Sequence, residues 1–321
     1  MGKFTSSGWT SRGAAWALVR AAEHFSPIRR PLTDTRHGML KTAPPKPRTQ
    51  PRVARPLRQA REQGTGRAPR PSAESVLPSP SKDDYWHLST RPLHILAFLL
   101  PVLFCYEVGT LFFLSGSGMV EVVRARVLLA QVFDLFGQAG FHLPPILLAA
   151  VLLVWHTFSK DAFRVRSDVV IGMAAESFLW TIPLLVFAMI AGTTVFAATN
   201  VGTVDALPWT SKATLAMGAG IYEELVFRLV LISLVHAVLV DVMKFRDGAG
   251  FVAGAMASAL AFTFYHNLRV QGGGVSLRLV FIYFGAGLFF SALFIKRGFG
   301  VAVATHALYD LITLLVLAQS S

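Results

Sequence analysis

From residue 92 onward the chain returns repeatedly to runs of apolar residues about twenty long, the length a helix needs to cross the hydrocarbon core of a bilayer. No other feature restricts the fold as strongly. Seven runs are read, at roughly 93–114, 143–158, 169–197, 212–240, 248–268, 277–295 and 299–318. Inside lipid every backbone N–H and C=O must be satisfied within the protein, and consecutive runs of this length satisfy them as helices. The expected fold class is therefore all-α, a polytopic membrane helix bundle of about seven transmembrane helices. Composition agrees, with 53% hydrophobic and only 15% charged residues.

The basic charge lies ahead of these runs. Residues 1–85 hold 16 Lys and Arg against 6 Asp and Glu, and residues 26–82 gather most of the prolines among Arg, Ser, Thr and Gly. Such a mixture buries too little apolar surface to offset ordering entropy, so 1–85 is read as a disordered basic tail and 86–321 as the membrane domain. The tail has no recognition module and few aromatics, and anionic lipid lies beside it, so the bilayer and not a nucleic acid is its expected partner. Within it, residues 9–25 read either as an Arg-rich leader-like helix or as an extension ahead of a start at Met39, and no secretory h-region is visible.

Cys105 is the chain's single cysteine, which excludes intramolecular disulfides and Cys-based zinc sites. Residues 123–141 carry Arg124, Arg126 and Asp134 at amphipathic spacing, as expected of a helix lying in the headgroup layer. Lys160, Arg164 and Arg166, then Lys244 and Arg246, then Lys296 and Arg297 follow the even-numbered runs and favour an N-inside topology.

Ionisable side chains cost about 2.5–3.5 kcal/mol each at the centre of a span on insertion scales, so a cluster of them marks a functional site. The fourth run holds Glu223, Glu224 and Arg228. Glu224 and Arg228 stand at i,i+4 with the acid first, the favourable order for a helical ion pair, which leaves Glu223 as the free carboxylate. Phe262 precedes His266 by four residues near the end of the fifth run, and His306 precedes Asp310 by four in the seventh. The spacing gives His266 an apolar wall and His306 a carboxylate that can orient its imidazole. His156, His236 and Tyr222 are read as helix–helix hydrogen-bonding residues. Glu107 and Glu176, which lack a basic or histidine partner at helical spacing, are read as structural or proton-relay residues.

The three patterns, Glu223-Glu224-x-x-x-Arg228, Phe262-x-x-x-His266 and His306-x-x-x-Asp310, occur in order and on separate apolar runs. In this the chain resembles the CAAX protease and bacteriocin-processing (CPBP or Abi) family, known best for its type II prenyl-protein endopeptidases, over about residues 169–318. The resemblance implies a glutamic intramembrane endopeptidase with no metal or other cofactor. Glu223 and His266 would activate the attacking water, His306 and Asp310 would serve the oxyanion and the scissile carbonyl, and Glu224, Arg228 and Phe262 would support them. The family usually has Asn at the position of Asp310, and an ionised Asp cannot donate to an oxyanion, so Asp310 must be protonated or act through His306. The implied partners are a peptide or lipidated protein substrate and the bilayer, and the implied location is the cell (inner) membrane of a prokaryote, with an organelle membrane as the alternative. Two other readings stand beside this one: a zinc site made by Glu223, His266 and His306, and a non-enzymatic immunity or scaffold protein.

Overall fold

The computed structural model describes residues 84–114, 143–191, 207–269 and 274–317. The expected disordered tail up to residue 83, the headgroup helix at 123–141 and the end of the third run at 192–197 lie outside the described residues, while Tyr85, expected in the tail, is helical.

A short helix α1, Tyr85–Leu88, leads into α2, Pro92–Gly109, whose last turn widens into a π-helix at Thr110–Leu114. Next come α3, Leu143–Ser159, α4, Ser167–Ile190, and the long α5, Trp209–Val242. The bundle ends with α6, Asp247–Tyr265, α7, Leu277–Arg297, and α8, Phe299–Ile312. Among the described residues α2, α4, α5, α6 and α7 are long and apolar enough to cross a membrane, while α3 and α8 are apolar but shorter. The seven expected helices are thus present, but two of them fall below spanning length.

Local chemistry explains several boundaries. Proline takes the first helical position of α2, where its missing N–H is not needed, and Pro144 and Pro145 open α3 in the same way. The Ser276 side chain accepts a hydrogen bond from the Leu279 backbone N–H at the start of α7. Between α7 and α8 the chain turns on Gly298, at φ 84° and ψ 177°, a conformation that a side chain would strain.

Burial follows the pattern of a membrane protein. In α4 the inward stripe is Val169, Met173, Ser177, Thr181, Leu184 and Ala188, at helical period, while Ile171, Phe178, Leu179, Ile182 and Val186 are exposed. Polar groups sit inside and large apolar ones outside because lipid provides no hydrogen bonds. Hydroxyls bridge α4 and α8: Thr305 Oγ1 donates to the Ser177 carbonyl at 3.2 Å and Thr181 Oγ1 to the Thr305 carbonyl at 3.5 Å.

The contact that positions the site is between α5 and α8. A Cβ on Gly220 would lie 2.8 Å from the Ala307 nitrogen and 2.8 Å from the Val303 carbonyl oxygen, so the two backbones meet where only glycine fits. Because those neighbours are backbone, Gly220→Ala is expected to cost about 1–3 kcal/mol as overpacking and to lower the thermal midpoint in detergent. Gly248→Ala, where nothing lies within 4 Å, serves as the control and is expected to be neutral or slightly stabilising.

Away from this contact, Glu176 of α4 is not left alone as its helix suggested. Arg297 of α7 grips it through Nε and through NH2 at 2.7 Å, the Tyr85 hydroxyl donates to it at 2.5 Å, and the Trp180 indole N–H donates at 3.2 Å. Burial and the neighbouring carboxylate hold the Tyr85 phenol above its usual range, so it remains a donor. Glu176 is a structural anchor for α1 and the α7–α8 corner. Similarly, Tyr222 donates to Glu107 at 3.4 Å, and His236 pairs with Asp247 at 2.9 Å, both as expected of helix–helix hydrogen-bonding residues. His156 departs from that expectation: its ring is buried edge-on against Phe163, and neither nitrogen has a hydrogen-bond partner among the described residues.

Candidate active site

One turn beyond Gly220, α5 carries the two glutamates, and from Leu225 it widens into a π-helix through Ile232. Widened turns within α-helices are frequent at functional sites. Arg228, within the wide turn, is fully buried and in ion-pair contact with Glu224 Oε1 at 2.9 Å. It is surrounded by rings, with its guanidinium carbon 4.4 Å from the centroid of Phe262 and 5.3 Å from that of Phe290. One further donation, from NH2 to the Gly287 carbonyl at 3.4 Å, ties it to α7. A buried guanidinium requires such partners, and here a carboxylate and aromatic faces supply them.

Glu224 does more than neutralise Arg228. The same Oε1 accepts a hydrogen bond of 2.8 Å from His306 Nδ1 on α8. That bond fixes the His306 ring and turns Nε2 toward two other carboxylates, 3.6 Å from Asp310 Oδ2 and 3.9 Å from Glu223 Oε2.

His266 is placed differently from the sequence expectation. It does not lie within the fifth helix; α6 ends at Tyr265, and His266 is the capping residue with ψ at 157°. Its backbone N–H turns to the Thr263 carbonyl at 3.2 Å, and its Nδ1–H donates to the Phe262 carbonyl at 2.8 Å. The imidazole thereby satisfies the carbonyl that a continuing helix would have satisfied with the backbone of residue 266. The expected adjacency with Phe262 survives, with ring centroids 4.5 Å apart, but it arises from a helix end and not from a shared helix face. With Nδ1 used as a donor, a neutral imidazole presents Nε2 as an acceptor, 3.8 Å from Glu223 Oε2.

Glu223, Glu224, Arg228, Phe262, His266, His306 and Asp310 therefore come together between α5, α6 and α8. Glu223 Oε2, Glu224 Oε2 and Asp310 Oδ2 are buried and have no hydrogen-bond partner among the described residues. A packed core does not tolerate three such oxygens, whereas a site that receives water or substrate uses them. Among the described residues no group of three His, Cys, Asp or Glu is arranged to hold a metal ion.

Three further residues were not legible beforehand. Tyr265, the last residue of α6, packs edge-on against the His266 ring at 5.1 Å. Tyr283 and Phe290, both on α7, stack on His266 and His306. In a chain with 25 Phe, an aromatic residue in an apolar run is no signal of a role.

Residues 205–312, the stretch that runs from just before α5 to the end of α8, match the family model of type II CAAX prenyl endopeptidase Rce1-like proteins. No curated protein and no solved structure matches the chain.

Proposed function

Since the chain carries a type II CAAX prenyl endopeptidase Rce1-like domain over residues 205–312, we propose that it hydrolyses a peptide bond within the membrane by a water held between Glu223 and His266, without a metal. The observation that carries this reading is the separation of Glu223 Oε2 from His266 Nε2, 3.8 Å, between two groups that both accept hydrogen bonds. The gap is too long for a direct bond and fits one water at about 2.8 Å from each. Such a water gives a hydrogen to each acceptor and turns a lone pair toward the substrate carbonyl. As the oxygen attacks, its proton passes to Glu223.

The charge that develops on the carbonyl oxygen needs a preorganised donor, and His306 provides it from Nε2 as an imidazolium, the form that the carboxylates of Glu224, Glu223 and Asp310 around it favour. Glu224 engages its Nδ1, and its Nε2 lies between Glu223 and Asp310. In this reading Asp310 acts through His306 instead of touching the oxyanion, which suits an Asp where relatives of this type usually have Asn. When the tetrahedral intermediate collapses, the proton on Glu223 moves to the departing amine. The carboxylate is regenerated and the peptide is cut in two. The substrate is a peptide or a lipidated protein whose chain reaches the site from the bilayer, and a CAAX-type C-terminus is the form the family description suggests.

The test is cleavage of a peptide library, including prenylated CAAX peptides, by the purified full chain in detergent before and after dialysis against a strong chelator. Activity is expected to persist. Loss restored only by zinc would instead assign Glu223, His266 and His306 as ligands. A folded chain that cleaves neither plain nor prenylated peptides favours the immunity or scaffold reading.

A further inference from the structure

Helix α7 contributes no residue to the three motifs, yet it touches both histidines. Tyr283 lies face to face with His266, with ring centroids 4.1 Å apart and planes at 22°. Phe290 lies in the same way on His306, at 4.5 Å and 22°. Most of the other aromatic pairs of the site meet edge-on or tilted, including Phe262 with His306 at 64° and Tyr265 with His266 at 81°. Tyr283 and Phe290 are seven residues apart, so they project from one face of α7 two turns apart. Between them, on the same face, Gly287 offers its carbonyl to Arg228. A Cβ there would lie 2.9 Å from the Ala259 Cα of α6, so this glycine lets α7 approach closely enough for the rings to stack.

A single hydrogen bond at Nδ1 fixes the position of an imidazole but leaves the ring free to swing about that bond. The bond of His266 to the Phe262 carbonyl and that of His306 to Glu224 set one coordinate of each ring, and the tilt of the ring plane is a second. A flat ring packed against its face closes the second coordinate, because rotation would drive the imidazole edge into the aromatic plane. His266 needs this most, since it follows the end of α6 and has no helical backbone beyond it.

We propose that Tyr283 and Phe290 are positioning residues, two aromatic platforms on one helix that set the planes of His266 and His306 and so aim both Nε2 atoms at Glu223. The proposal rests on the endopeptidase reading for its effect on rate, but its geometric content stands independently of activity. A platform acts through the imidazole it aligns, so its loss is expected to lower turnover and leave binding alone. The ring face is what the proposal requires, so Tyr283→Phe, which keeps the face, separates it from any role of the hydroxyl.

The experiment uses the full chain in detergent with isotope-labelled histidine, with the His266 and His306 ring signals assigned through His266→Asn and His306→Asn. In the wild type both Cε1–H signals are expected to be shifted upfield by the aromatic faces above them. Tyr283→Leu is expected to release the His266 signal alone, Phe290→Leu the His306 signal alone, and Tyr283→Phe neither. On cleavage, each Leu variant is expected to lose about ten- to hundredfold in kcat, with KM within about twofold of wild type. Tyr283→Phe is expected to restore wild-type kcat. Unshifted histidine signals in the wild type would overturn the proposal without any variant having to fold. So would full activity in both Leu variants, or a Tyr283→Phe variant as slow as Tyr283→Leu. A wild type with shifted signals that cleaves nothing would remove the endopeptidase reading and leave the platforms in place.

Discussion

Glu223→Gln is expected to lower hydrolysis by about 10²–10⁴-fold, the range over which a positioned general base contributes, while the protein stays folded. Gln keeps the shape of Glu and removes its ability to take a proton from water. Nothing structural leans on the carboxylate oxygen at stake: Glu223 Oε2 has no hydrogen-bond partner among the described residues and lies 3.8 Å and 3.9 Å from the two imidazole nitrogens. Relieving one of the three buried carboxylates that surround His306 is not expected to destabilise the bundle, so the thermal midpoint in detergent should match or exceed that of wild type. The loss should fall on kcat, because the bound substrate meets the same surface but an unactivated water. A Glu223→Gln variant that cleaves as fast as wild type would remove Glu223 from the chemistry altogether.

The bundle and most of the site were legible in the sequence because they rest on local rules. The apolar runs correspond to α2 through α8, and lipid-facing burial follows helical period, since the bilayer penalises any alternative. The Glu224–Arg228 pair follows from spacing along one helix. What escaped was set by tertiary contacts. A separation of 82 positions between Glu224 and His306 hides their hydrogen bond, which depends on Gly220 bringing two backbones together. Glu176 looked isolated because Arg297, its partner, stands 121 residues away on another helix. The end of α6 was missed for a subtler reason. Its last turn is apolar enough to continue, and the signal to stop is the His266 side chain itself, which takes over the Phe262 carbonyl. Side chains that replace the backbone in this way leave no mark in hydropathy.

Loss of Arg228 is expected to be the most damaging single change to stability. Arg228→Met leaves Glu224 buried at 0% exposure without a cation, and breaking a buried pair on one side typically costs about 3–5 kcal/mol. The thermal midpoint should drop sharply, and activity should go with it, because Glu224 also holds His306 Nδ1. Glu224→Gln leaves the guanidinium uncompensated in turn, although the Gly287 carbonyl and the faces of Phe262 and Phe290 still surround it. The informative variant is the pair Glu224→Gln with Arg228→Met. No charge is then stranded, and the side-chain amide oxygen of Gln can still accept from His306 Nδ1. The double variant is therefore expected to be more stable than either single variant, a coupling that thermal midpoints in detergent measure directly. Its activity should stay well above that of Glu223→Gln, because the base and the bond to His306 both remain. A double variant no more stable than Arg228→Met would show that the arginine acts through its aromatic cage and not through Glu224. If the double variant were as inactive as Glu223→Gln, the charge on Glu224 would belong to the chemistry and not only to the bracing of the site.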